Sequence, residues 1–153
     1  MAGARRPISF WVIIVFLIVS MVLLLMGQTM AIFNYEFAVK LGLQEDFKEV
    51  SEFGVQINRA FGAGDTVVYI PLMAISLVGL FLRKHWSLVT TAAVMGISAY
   101  WATTVAFMLY FLPGVSNYNL EPGPAYWVFI GVYIIFGVLG VVYLMFRGDN
   151  IIS

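Results

Sequence analysis

Most residues able to do chemistry lie in one stretch. Gln28, Asn34 and Glu36 are followed by Glu45, Asp46, Glu49, Glu52, Asn58, Arg59 and Asp65. Carboxylate and amide oxygens are ligands for hard cations, and polar groups at membrane depth mark ion or substrate paths. The candidate ligand or ion residues are Asp65, Glu36, Gln28, Asn58 and Arg59. A second candidate face is Tyr100 and Thr104, four residues apart with Phe107 and Phe111 beyond, which suits a flat or lipidic ligand. Each has a plain structural reading. Asp65 follows Gly62-Ala63-Gly64, whose glycines permit a turn or a close approach. It is placed to cap a helix by accepting from the N–H of Val67 or Val68, where a carboxylate also suits the helix dipole. Gln28 suits a hydrogen bond between helices. The acidic run reads as a solvated helix face, and Tyr100 and Thr104 as an ordinary packed face.

Absences narrow the chemistry. There is no cysteine, so disulfides, thiol redox catalysis and Cys-ligated zinc or iron–sulfur clusters are excluded. One histidine cannot supply a bis-His haem. No Gly-rich phosphate loop, G-x-S-x-G elbow or H-E-x-x-H helix is present. Net charge is zero, which gives nucleic-acid binding no support. No cofactor and no metal ligand set is assigned.

These residues must be positioned by four apolar runs, Ile8–Ile32, Thr66–Leu82, Trp86–Leu112 and Tyr126–Phe146, none of which contains Asp, Glu, Lys or Arg. A helix crosses a bilayer core of roughly 30 Å with about 20 apolar residues. The chain is 62% hydrophobic and 10% charged, against roughly half and a quarter in soluble domains. The predicted fold is all-α: a single membrane domain over residues 1–153, built as a four-transmembrane-helix bundle with an amphipathic extracytoplasmic helix between spans 1 and 2. The first run exceeds the roughly 7–15 residues of a secretory h-region and no A-x-A site follows, so it reads as a retained span.

Charge sets the expected orientation. Arg5, Arg6, Arg83, Lys84 and Arg147 stand against Asp149 on the side holding both termini. Seven carboxylates stand against Lys40, Lys48 and Arg59 on the other. The positive-inside rule places both termini in the cytoplasm of a cell (plasma) membrane. The outward segment carries Phe47, Val50, Phe53, Gly54, Ile57 and Phe61 at helical spacing. Membrane-surface helices are usually basic and this one is acidic, so its apolar stripe is expected to pack over the outer mouth of the bundle. Gly42 is expected to end a helical continuation of the first span.

Within the spans, Pro71 predicts a kink that displaces the Val67 carbonyl. Ala92, Gly96, Ala99, Thr103 and Ala106 form a small-residue stripe that reads as a packing seam. Gly137 and Gly140 form a shorter seam, facing either the third span or another protomer. Trp11, Trp86, Tyr110, Tyr118, Tyr126 and Trp127 read as interfacial belt residues. Tyr69, Tyr100, Trp101 and Tyr133 lie deeper, where a ring with a polar handle takes a partner. The Pro113–Ala125 loop is a chain of turn formers, either a stiff lid or a connector. His85, in the turn beside Arg83 and Lys84, reads as an interface residue.

The first functional reading is a non-catalytic membrane subunit or a bundle binding lipid or another apolar ligand. Its partners are membrane lipid and possible homo-oligomer or membrane-complex subunits, without nucleic acid. The alternatives are a small transporter or channel with a polar path near Asp65, and an enzyme with an outward-facing carboxylate site drawn from Glu36, Glu49, Glu52 or Asp65. Against a transporter, no charge lies mid-span.

Overall fold

A computed structural model describes residues 6–153, so Arg5 lies outside the described residues. They are all-helical, with four helices long and apolar enough to cross a membrane. These are α1 (Ile8–Phe33), α3 (Phe47–Phe81), α4 (Trp86–Phe111) and α5 (Pro124–Arg147). A short helix, α2 (Tyr35–Lys40), lies between the first two. Consecutive long helices run antiparallel; the link between α3 and α4 (82–85) is short, and the other two (34–46 and 112–123) are longer. One end of the bundle carries the segments 34–65 and 113–125 and is termed the cap end. Arg6 and Ser153 lie at the opposite end.

The bundle is apolar both within, where Phe10, Leu17, Met73, Leu80 and Met95 are fully buried, and on its outer surface. Val67, Val89 and Met145 face outward at 74%, 72% and 71% exposure. Ser20, Ser76, Ser87, Thr91 and Ser98 are buried. Small hydroxyl residues between helices, with apolar residues on the outer surface, is the arrangement expected where hydrocarbon is the solvent. Three of the hydroxyls donate to a carbonyl of the preceding turn, Ser98 to Val94 at 3.0 Å, Ser76 to Leu72 at 2.8 Å and Ser87 to Lys84 at 2.6 Å, whereas Thr91 Oγ1 has no hydrogen-bond partner.

Glycines set the closest approaches. A Cβ on Gly137 would lie 2.6 Å from the Met95 carbonyl oxygen and 2.7 Å from the Ala99 nitrogen. One on Gly140 would meet the Met95 side chain at 3.0 Å. The Gly137–Gly140 seam therefore faces α4. Of the α4 stripe, Ala99 meets this seam, whereas a Cβ on Gly96 would find nothing within 4 Å.

The second long helix corrects the reading of Asp65 as a cap. The chain does not break at Gly62-Ala63-Gly64, and α3 continues through it, so Asp65 is interior. A Cβ on Gly62 would lie 2.5 Å from the Gln28 carbonyl oxygen, so this glycine admits α1 rather than a turn. Residues Asp65–Tyr69 form a π turn, with the Ile70 N–H bonded to the Asp65 carbonyl. Pro71 follows at once. The wider turn relieves the clash of its ring with the preceding carbonyls, and this is the form the expected kink takes. A matching π turn spans Leu25–Thr29 in α1. The two turns are neighbours, tied by the Thr29 and Thr66 hydroxyls at 2.8 Å, and Thr66 Oγ1 also donates to the Gly62 carbonyl at 2.7 Å.

The segment read as a separate amphipathic helix is thus the first half of α3. It starts at a capping box, in which Asp46 Oδ1 accepts from the Lys48 N–H at 2.9 Å and Glu49 Oε2 from the Asp46 N–H at 2.8 Å. Ser51 interrupts it at φ 63 and ψ 173, a region costly for any residue with a Cβ. Its stripe is covered only in part: Val50 is buried, while Phe47 and Phe53 are exposed. Nor does the first span continue unbroken. Asn34 breaks the helix (φ −148) and caps α2, accepting from the Phe37 N–H at 3.1 Å. Gly42 then turns the chain at φ +68.

Candidate functional site

At the cap end the long helices surround a chamber of about 540 Å³. Leu23 to Gln28 of α1 form one wall, and Phe61 and Tyr69 of α3 another. Trp101 to Leu109 of α4 and Tyr126 to Tyr133 of α5 complete the sides. Segments 42–50 and 118–125 close over the top.

The lid is held by hydrogen bonds between distant residues. Glu45 is the hub. Its Oε1 accepts from the Tyr126 hydroxyl at 2.8 Å and its Oε2 from the Asn58 amide at 2.7 Å. The Asn58 amide also donates to the Tyr35 hydroxyl at 3.0 Å, which in turn donates to the Glu45 carbonyl at 3.0 Å. Gln44 donates to Gln28 Oε1 at 3.3 Å. The Asn119 N–H bonds to the Glu49 carbonyl at 2.7 Å and its side chain to the Lys48 carbonyl at 3.3 Å. The Pro113–Ala125 loop is therefore a lid, fastened to the start of α3. Burial pushes the Tyr35 phenol above its ordinary value, with the Asn58 bond pulling the other way and Glu45 adding to the rise. Burial and Glu45 do the same to Tyr118.

The floor is aromatic. Trp101 and Phe129 meet edge-on at 6.2 Å, Phe129 and Tyr133 at 4.6 Å, and Trp101 and Tyr133 at 6.0 Å. Of the three tyrosines expected to lie deep, Tyr69 and Tyr133 are buried and take partners, whereas Tyr100 is exposed. Tyr69 bonds Ser98, and the Tyr133 hydroxyl donates to Ser20 Oγ at 2.8 Å.

Below the floor, an apolar cleft of about 570 Å³ runs between α1 and α5 along the side of the bundle. It extends from Ile8 to Leu23 along α1, about 22 Å at 1.5 Å per residue. Phe16 stacks on Phe136 at 4.7 Å within it. Its one buried polar contact, Tyr133 to Ser20, is internally satisfied. Leu23, Phe129 and Tyr133 line both the chamber and the cleft, so the two spaces share a wall.

Of the residues singled out in the sequence, Gln28 and Asn58 line the chamber. Arg59 does not; its Nη2 donates to the Ile32 carbonyl at 2.9 Å and closes the end of α1, a favourable place for a cation. Asp65 is buried beside the chamber wall between Phe61 and Tyr69 in sequence, but is not among the lining residues, and its Oδ2 has no hydrogen-bond partner. Glu36 is exposed in the first turn of α2. Tyr100 is 75% exposed on the outside of α4, and neither it nor Thr104 lines the chamber. Among the described residues no three acidic or histidine side chains converge as metal ligands, so Glu36, Glu49, Glu52 and Asp65 do not form one set. His85 lies at the opposite end, 3.8 Å from Asp149.

Sequence reasoning placed Glu45 only within a solvated face and Tyr126 only in an interfacial belt. Their pairing joins positions 81 residues apart. The available signal was the Pro/Gly-rich loop immediately before Tyr126. No family model, curated protein or solved structure matches this chain.

Proposed function

We propose that this chain is an integral membrane protein of four spans that holds one amphiphilic lipid, its headgroup in the chamber and its acyl chain in the cleft between α1 and α5. The plasma membrane is its expected location, with the cap outside and both termini cytoplasmic. The surplus of Lys and Arg around the 83–85 turn and residue 147 supports that orientation. Exposed Val and Met along the long helices support burial in hydrocarbon.

The single observation that carries the lipid reading is the shared wall of Leu23, Phe129 and Tyr133. It sets a chamber with a polar upper wall directly above an apolar cleft on the membrane-facing side. At about 22 Å, the cleft is longer than the roughly 15 Å of hydrocarbon in one leaflet, so it covers a whole chain. Nothing in the chamber constitutes a nucleophile with an adjacent base, which favours binding over catalysis.

Native mass spectrometry of the full chain, released from a mild non-ionic detergent, tests this. The expected spectrum shows one retained lipid per chain, lost in Val132→Trp, which fills the cleft from an exposed position. A bare protein, or a statistical ladder of adducts unchanged in that variant, would overturn the reading.

A second reading, a small transporter, is favoured by one observation: two neighbouring π turns beside a buried carboxylate without a partner for Oδ2. Local π turns are frequent at functional sites. That reading requires saturable flux in proteoliposomes that disappears in Asp65→Asn.

A further inference from the structure

Resting on the lipid-holding reading, we propose that the headgroup selected by the chamber is a cation: an ammonium group attached to the acyl-bearing molecule. Glu45, Glu49 and Glu121 line the chamber, and among the described residues no Lys, Arg or His does. The two oxygens of Glu45 accept from a neutral phenol and a neutral amide, so its charge is not neutralised by those contacts. Glu49 accepts one backbone N–H.

An anionic headgroup is best matched by cationic donors. Tyr126 donates to Glu45, Tyr133 to Ser20, and Tyr69 is bonded to Ser98, while the Tyr118 hydroxyl and the Gln28 and Gln44 amides that also line the wall are neutral. The Asn58 amide is engaged by Glu45 and Tyr35. The formal charge in the wall is negative, and much of the remaining surface is aromatic. Seven aromatic side chains line the chamber, with Trp101 in the floor cluster. Aromatic walls around a desolvated site attract quaternary and primary ammonium groups through the ring quadrupole, with Trp the strongest. Carboxylates and rings line one chamber, so both favour a positive charge held in it.

The test uses the full chain in non-ionic detergent, with three amphiphiles of one chain length: hexadecyltrimethylammonium, hexadecyl sulfate and uncharged hexadecyl maltoside. Competition is read by native mass spectrometry. Free choline serves as a tail-less arm. The ammonium amphiphile is expected to outcompete the other two by about tenfold, the order given by one desolvated cation–π contact. Glu49→Gln combined with Glu121→Gln, two changes on the lid that spare the Glu45 hub, is expected to shrink that preference. Trp101→Leu is expected to shrink it independently, from the floor.

Equal binding of all three amphiphiles, weakened alike by Val132→Trp, would overturn the cationic assignment and leave the lipid reading standing. Binding of all three that ignores Val132→Trp would overturn both. Free choline binding as tightly as its tailed counterpart would assign the chamber to a soluble cation and overturn the lipid source.

Discussion

Adding one methyl group at Gly137 tests the packing that fixes α5, the helix shared by chamber and cleft. In Gly137→Ala the new Cβ meets the Met95 carbonyl oxygen at 2.6 Å, the Ala99 nitrogen at 2.7 Å and the Ala99 Cβ at 2.8 Å. Ordinary contact begins at 3.4 Å, so α4 and α5 must part by about 0.8 Å, the difference between that distance and the shortest contact. A gap of 0.5–1 Å forfeits roughly a quarter to a half of the dispersion well at every contact along the seam. Overpacking costs about 1–3 kcal/mol. The obstructing atoms are mostly backbone and cannot rotate away, which places Gly137→Ala at the upper end. Helix propensity returns at most about 1 kcal/mol, leaving a net loss of about 2 kcal/mol. Gly131, on the same helix with nothing within 4 Å of its Cβ position, is the control. Gly131→Ala is expected to be neutral or slightly stabilising. Reversible unfolding in mixed detergent micelles compares the two directly. Equal stability of the two variants would refute the reasoning, because the α4–α5 approach would then not depend on a bare backbone.

Other consequences follow from named contacts. Tyr126→Phe removes the donor to Glu45 Oε1, and an unmade buried hydrogen bond costs about 1–3 kcal/mol; hydrogen exchange is expected to rise at residues 43–50 while α4 and α5 stay protected. Asp65→Asn removes the charge from a buried group whose Oδ2 lacks a partner and is expected to raise the unfolding midpoint; a lowered midpoint would show that the carboxylate has a partner in the folded protein. Tyr35 and Tyr118 titrate above the ordinary 10.0. Their contribution to stability is therefore full below that pH and falls as pH rises through the higher folded values, so tyrosinate absorbance should develop above pH 10 together with loosening of the lid.

The four long helices were legible because an apolar run without charge has few other fates in a chain this hydrophobic. The Gly137–Gly140 seam was legible as a seam; its direction needed the structure, since small residues permit approach without naming a partner. Asp65 was misread for a physical reason. Two glycines before a carboxylate favour a break and a cap by local propensity. The approach of Gly62 to the Gln28 carbonyl, together with the π turn ahead of Pro71, keeps the helix continuous instead. Tyr100 and Thr104 share a helical face as spacing predicts, but periodicity does not say which face of a uniformly apolar helix points inward. The chamber was the least visible feature. Its hub joins Glu45 to Tyr126, and its lid joins Asn119 to residues 48 and 49, 71 and 70 positions away (119 − 48 and 119 − 49). Such contacts leave no local pattern.

The account stands most directly on where a lipid lies against the bundle. A lipid carrying a photoreactive group on its acyl chain, crosslinked to the full chain in bilayers and mapped by peptide mass spectrometry, gives that position. Adducts are predicted to concentrate on Leu23, Phe129 and Val132, along the cleft below the chamber. Adducts distributed by exposure alone, with Val67, Val89 and Met145 labelled as strongly as the cleft, would contradict it.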